Sequence, residues 1–456
     1  MRKKQDIMIL CALLVVLCIG LGTLGAGIML HVGAPSGEET PPPAPPAESQ
    51  TPEPPAATPE PEPQSAATAA PTSTPQPTPE PVTPTQPPRE RIAPVSAESL
   101  DKAAAYVAGM ADDLTKVYQL FIVNPDAVTG RENTNVAGDV TREALSRRPV
   151  CGMIYQSNNM LPNKPEDFLK MVQGQQSIME ENGFLPLITC VDEEGGRVCR
   201  IRELNGLRLD AMFSYREDGP GQAAENARTL AAWLRELGLN TDLAPVADVW
   251  SNPENEVIGD RAYSDSFEEA AELVAAAVSG FREGGATCCL KHFPGHGDTL
   301  EDSHEGPAVV TKTLDQLRRE EFLPFQAGID AGADMVMLGH LSVRNEPELA
   351  DNPATFSPRI VDILRSELGF SGVIITDSLS MGAVTAVSGE VEACKQALAA
   401  GCDILLGVWD QETLDRCANA IREAADEEID GVSWDRIDDS LVRIIAMKYE
   451  RGILED

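Results

Sequence analysis

From about Ser99 onward, short and nearly uninterrupted apolar runs alternate with longer amphipathic ones, and that rhythm limits the folds open to the chain. The apolar runs fall at 119–123, 150–155, 186–191, 242–247, 286–290, 335–338, 373–376 and 403–407. Helical periodicity fills the gaps at 165–182, 222–237, 267–283, 314–333, 358–368 and 411–424, with a closing helix at 434–449. Strands that are apolar along their whole length are buried on both faces, the habit of parallel sheets. Eight such strands in β/α alternation predict a single (β/α)₈ barrel of the TIM type across residues 99–456. The competing architecture is an open, doubly wound sheet; no G-x-G-x-x-G supports a dinucleotide-binding version of it.

The first 98 residues cannot belong to that core. Of the 35 prolines in the chain, 21 lie between Pro35 and Pro94. Residues 34–98 are Pro, Thr, Ala, Glu and Gln with little to bury, so they predict a disordered, extended linker. Ahead of it, Arg2, Lys3 and Lys4 precede an apolar run at 7–30. At 1.5 Å per residue this run exceeds the ~30 Å hydrocarbon thickness of a bilayer. Residues 1–33 therefore predict a signal anchor, a single-pass transmembrane helix that leaves everything after it outside the cell. A leader cleaved near residues 32–34, giving a secreted protein, is the alternative.

The formal net charge of −36 repels phosphate backbones, so no nucleic-acid partner is expected. Ten cysteines include no C-x-x-C pair. Those in apolar runs read as small buried hydrophobes, with disulfide formation left open.

In a barrel, chemistry sits where strands end and βα-loops begin. Strand three ends in Asp192-Glu193-Glu194-Gly195-Gly196-Arg197, and strand four runs into Asp248 and then Gly259-Asp260-Arg261. Strand five ends in Lys291-His292, followed by His296, Asp298, Asp302 and His304; strand six ends in Gly339-His340, and strand seven in Asp377. Three of the chain's five histidines thus fall within fourteen consecutive positions of one loop, 291–304. Histidine with aspartate is also the material of a metal site, but these spacings fit no compact zinc motif, and neither a metal nor a cofactor is expected. His296 and Asp298 are expected to shape the loop, and Gly295 and Gly297 to let it move. His340 either braces the fold or lines the pocket.

At these residues the chain resembles glycoside hydrolase family 3, and within it the single-domain β-N-acetylglucosaminidases. The resemblance rests on KHFPGHGDT and DSH between Lys291 and His304, DEEGGRV at 192–198, APVADV and VIGDR at 244–261, and GVIITDSLSMGA at 372–383. It implies a retaining double displacement with Asp377 as the nucleophile. It implies His304 as acid/base, oriented by Asp302, and Asp192, Arg261, Lys291 and His292 as sugar ligands. Histidine suits the acid/base role because its ordinary pKa near 6.5 lets it both give and take a proton. The family's DQEGG reads DEEGG here, so Glu193 stands where an amide is common, leaving open whether it adds charge beside the sugar.

The expected activity is hydrolysis of terminal β-linked N-acetylglucosamine from glycosides such as muropeptides, the peptidoglycan fragments, by a monomeric catalytic domain. The alternatives are other β-glycosides, phosphorolysis, or a degenerate wall-binding module. Relatives acting on glucosides typically take their acid from a further domain, and none is expected here beyond the closing helix. An uncleaved anchor predicts that the protein stays with membranes through salt washing. Recovery of soluble protein beginning near Pro35 would instead identify a cleaved leader.

Overall fold

The computed structural model describes residues 91–455, apart from Leu207, Glu348 and Asp351. The expected span at 1–33 and the linker up to residue 90 lie outside the described residues. No described helix is long and apolar enough to cross a membrane.

All eight expected strands form, and every strand residue is buried. They are β1 (Phe121–Val123), β2 (Gly152–Ile154), β3 (Ile188–Val191), β4 (Thr241–Asp242), β5 (Thr287–Phe293), β6 (Met335–Leu338), β7 (Val373–Thr376) and β8 (Leu405–Leu406). From β1 to β7 each pairs in parallel with its sequence neighbour, and β1 pairs with β8. The remaining seam, β7 to β8, is joined by a single parallel bridge between Ile375 and Ile404. The ring is therefore nearly continuous, a TIM-type barrel rather than an open sheet.

Several boundaries move for local reasons. β5 runs three residues past its apolar stretch and carries Lys291 and His292 inside the sheet. β4 is short, but Val246 bridges to Lys291 just beyond it. The helix expected over 314–333 breaks into Leu314–Arg319 and Phe322–Asp330. At the break Glu320 and Glu321 both turn toward Lys312, at 2.9 and 2.8 Å. The composition-based linker also ends early. Arg91 pairs with Asp330 at 2.8 Å, the Ile92 amide donates to Asp330, and Val95 is buried. The helix Ala97–Gly109 then packs on the closing helix Trp434–Glu450.

The helices obey ordinary end chemistry. Ser266 caps Phe267–Gly284 by accepting from the Glu269 amide, and Gly285 ends it at φ 77°. That helix lies close against Pro220–Glu236, because a Cβ on Gly280 would meet the Ala224 carbonyl at 2.1 Å. Outside the barrel, Ala308–Val310 and Leu341–Val343 form a small parallel ribbon beyond the ends of β5 and β6.

Two buried carboxylates fasten helices to the strands at the end where β6 and β8 begin. Asp334, just before β6, takes the Cys288 amide at 3.0 Å and the guanidinium of Arg451. Asp403, before β8, receives Arg365 at 2.7 Å, Arg436 at 3.2 Å, Arg443 at 3.1 Å and the Ile374 amide at 2.9 Å. Burial raises the Asp403 pKa, but the three guanidiniums outweigh it and hold the carboxyl below its ordinary value. Asp403→Asn leaves three cations around a neutral group, so we expect a loss of about 3–5 kcal/mol, read by urea unfolding. A loss below about 1 kcal/mol would mean that the cluster is not a structural anchor.

Candidate active site

Three strand ends, those of β3, β4 and β5, deliver the four expected sugar ligands to one place. Lys291, at the end of β5, is almost fully buried, and its ammonium lies 2.8 Å from Asp192 and 2.7 Å from Glu194. Glu194 also receives Arg261 in a two-pronged contact at 2.7 and 2.9 Å. Burial raises the Glu194 pKa, but Arg261 and Lys291 override it and drive the carboxyl far below its usual range. The reciprocal field outweighs the burial cost on Lys291 and keeps it firmly protonated. Charges this deep persist because each has a partner in good geometry.

The next residue, His292, is held by Asp248 from the segment following β4. One Asp248 oxygen takes both the His292 backbone amide at 3.1 Å and Nδ1 at 2.7 Å. The other takes the His296 amide at 2.7 Å. With Nδ1 donating to a carboxylate, the second ring nitrogen of His292 is left for the cavity that the side chain lines.

After β5 the chain forms the loop that carries the expected acid/base pair. His304 Nδ1 lies 2.7 Å from Asp302, which also accepts the His304 amide at 2.9 Å. Burial pushes the Asp302 pKa up, but the His304 amide and ring outweigh it and hold it down. The His304 side chain is 63% exposed, unlike the buried Lys291 and His292. The loop is docked on the segment after β7 through Gly382 N to His304 O at 3.1 Å and Ala383 N to Ser303 O at 3.2 Å.

The glycines here do not serve the mobility expected of them. A Cβ on Gly297 would sit 1.6 Å from the Val249 carbonyl, and one on Gly295 would meet Glu321 at 2.8 Å. They allow close packing.

Asp377 follows β7 directly. Its amide donates to Leu338 O at 3.0 Å, and its carboxylate accepts the Ser378 amide at 2.7 Å. Burial raises its pKa, but His292, His340, the Ser378 amide and His304 prevail and keep it below the ordinary value. His340 does not line the cavity. Its Nε2 donates to the Ser378 carbonyl at 2.9 Å and its Nδ1 faces Thr355 Oγ1 at 2.8 Å, so it braces the turn that bears Asp377.

Asp192, Arg261, Lys291, His292, His304 and Asp377 all line one cavity of about 420 Å³. Asp302 lines a larger outer cleft of about 960 Å³, which shares Arg200, Arg261 and His304 with the inner cavity. All seven expected site residues are thereby brought together.

Glu193 is turned away from the cavity. It accepts the Arg200 and Ile201 amides at 2.6 and 2.9 Å, and burial raises its pKa. Sequence reading missed Arg200, Trp409 and the hub role of Glu194. Trp409, three residues past β8, forms an apolar wall of the cavity with Met337 and Met381. Its position at a barrel strand end was the available signal. Among the described residues no group of His, Cys, Asp or Glu is arranged to hold a metal.

Glu194→Gln removes the charge shared by Lys291 and Arg261. We expect KM for the sugar substrate to rise about 10- to 100-fold, the value of one charge-assisted contact. An unchanged KM would show that Glu194 does not set the two cations.

Known proteins resemble the part of the chain that forms the barrel. The profile described as "Glycosyl hydrolase family 3 N terminal domain" matches residues 114–447. A protein named Beta-hexosaminidase from Stenotrophomonas maltophilia (strain K279a) is 42% identical over 244 residues, covering 52% of this chain and 71% of its own. The structure of a glycoside hydrolase family 3 β-N-acetylglucosaminidase from Paenibacillus sp. str. FPU-7 superposes with a TM-score of 0.70 at 34% identity, over 75% of this chain. This chain spans 63% of that structure's length. A β-N-acetylhexosaminidase structure from Beutenbergia cavernae DSM 12333 gives a TM-score of 0.64 at 28% identity, covering 74% of this chain and 99% of that one.

Proposed function

The chain belongs to glycoside hydrolase family 3, and from that premise we propose that it hydrolyses terminal β-linked N-acetylglucosamine with retention of configuration. The observation that carries this reading is a single cavity bordered by a fixed carboxylate, Asp377, and an exposed imidazole, His304, above a floor of paired charges.

Asp192, Arg261, Lys291 and His292 bind the sugar hydroxyls and fix the ring over Asp377. Ionised at working pH, Asp377 attacks the anomeric carbon as His304 protonates the departing glycosidic oxygen, giving a glycosyl ester. Asp302 holds the His304 tautomer and stabilises the imidazolium before transfer. His304, now neutral, takes a proton from water, which attacks the ester and releases the sugar. An imidazole in this role places no second negative charge beside Asp377. We place the natural substrates among peptidoglycan muropeptides, acted on outside the cell by an enzyme held through residues 1–33. The support is the apolar run and the spacer that follows it.

Asp377→Ala should lower kcat/KM on a chromogenic β-N-acetylglucosaminide by about 10⁴-fold or more. His304→Ala should cost on the order of 10²–10⁴-fold on an alkyl glycoside and far less on an activated aryl glycoside, which leaves without a proton. Wild-type turnover by Asp377→Ala would remove the mechanism. Equal losses on both leaving groups would remove His304 as the acid. Following products with and without phosphate separates hydrolysis from phosphorolysis.

A further inference from the structure

His296 is buried, lines neither the inner cavity nor the outer cleft, and has no step in the reaction above. Yet both of its ring nitrogens are engaged inside the acid/base loop. Nδ1 lies 2.7 Å from Thr299 Oγ1, and Nε2 lies 3.0 Å from Ser303 Oγ, one residue before His304. Its backbone is fixed independently. The amide donates to Asp248 at 2.7 Å, and the carbonyl accepts Asn255 Nδ2 at 2.8 Å. The imidazole thus spans the neck of the loop, from the end of β5 to the base of the acid/base residue.

We propose that His296 is a positioning residue for the acid/base step, seating His304 over the leaving group through its hydrogen bond to Ser303. Ser303 is the transmitting link. Its hydroxyl meets His296, and its carbonyl accepts the Ala383 amide on the segment after β7. The same residue therefore joins the acid/base loop to the segment that follows Asp377. Burial first, and the nearby His292 second, lower the His296 pKa to about 4, so the ring is neutral at working pH. A neutral ring has one donor and one acceptor, which matches two hydroxyl partners that can each play either part.

This inference rests on the hydrolase reading and is tested within an active enzyme. In the full-length protein, Ser303→Ala removes only the far end of the contact. It should reduce kcat/KM on an alkyl β-N-acetylglucosaminide about tenfold, the value of one buried hydrogen bond. The value of kcat/KM on a dinitrophenyl glycoside, which reports the first step alone, and inhibition by N-acetylglucosamine should stay within about twofold, since neither needs the acid. His296→Gln, whose amide reaches farther than the methyl of His296→Ala, should recover part of the alkyl activity that His296→Ala loses. Should His296→Ala fail to accumulate, the Ser303→Ala ratio decides alone. Equal losses on the two substrates, or none on either, would overturn the positioning role while leaving the hydrolase intact. A wild type that cleaves neither would overturn both.

Discussion

Asp248 is the interaction on which the rest of the site depends. Its carboxylate is fully enclosed, and its two oxygens are divided between His292, at the end of β5 beside the inner cavity, and His296, in the loop that leads to His304. Burial raises its pKa, but His292 outweighs that and keeps it ionised. An enclosed charge tolerates little displacement of its partners, because each lost contact leaves desolvation uncompensated. The positions of His292 and His296 are therefore tied to one point just past β4.

The barrel explains why such charges can be held at all. Parallel strands end together on one rim, where the ladder stops satisfying the backbone and side chains must take over. On that rim Glu194 serves Lys291 and Arg261, while away from it Asp334 and Asp403 clasp arginines from the surrounding helices. The chemistry of the pairs is alike, but their surroundings differ. The rim pairs border a cavity, whereas Asp334 and Asp403 are closed in by the helices they fasten.

Much of this was legible in the amino-acid order. Unbroken apolar runs betrayed strands buried on both faces, and the ionisable residues just after them marked the rim. The seven residues named from motifs meet around adjoining cavities. What escaped was set by contacts far apart in the chain. Trp409 carries no motif, and only the folded barrel brings it to the same cavity as Met337. Glu193 looked like an added charge near the sugar, but its orientation follows from the two amides that capture it. Gly295 and Gly297 suggested freedom, whereas backbone and side-chain atoms crowd against both. The early end of the linker was hidden because Arg91 and Ile92 find partners more than two hundred residues away.

The small ribbon of Ala308–Val310 and Leu341–Val343 has a consequence for how such a catalyst can diversify. It clamps the downstream margin of the loop whose upstream margin is rooted in β5. Between the two clamps, the exposed stretch at Leu300 and Glu301 is where a change of length would leave every strand of the ring in place. Reach toward a bulkier or smaller departing group can therefore drift over generations while the grip on the sugar is inherited unchanged.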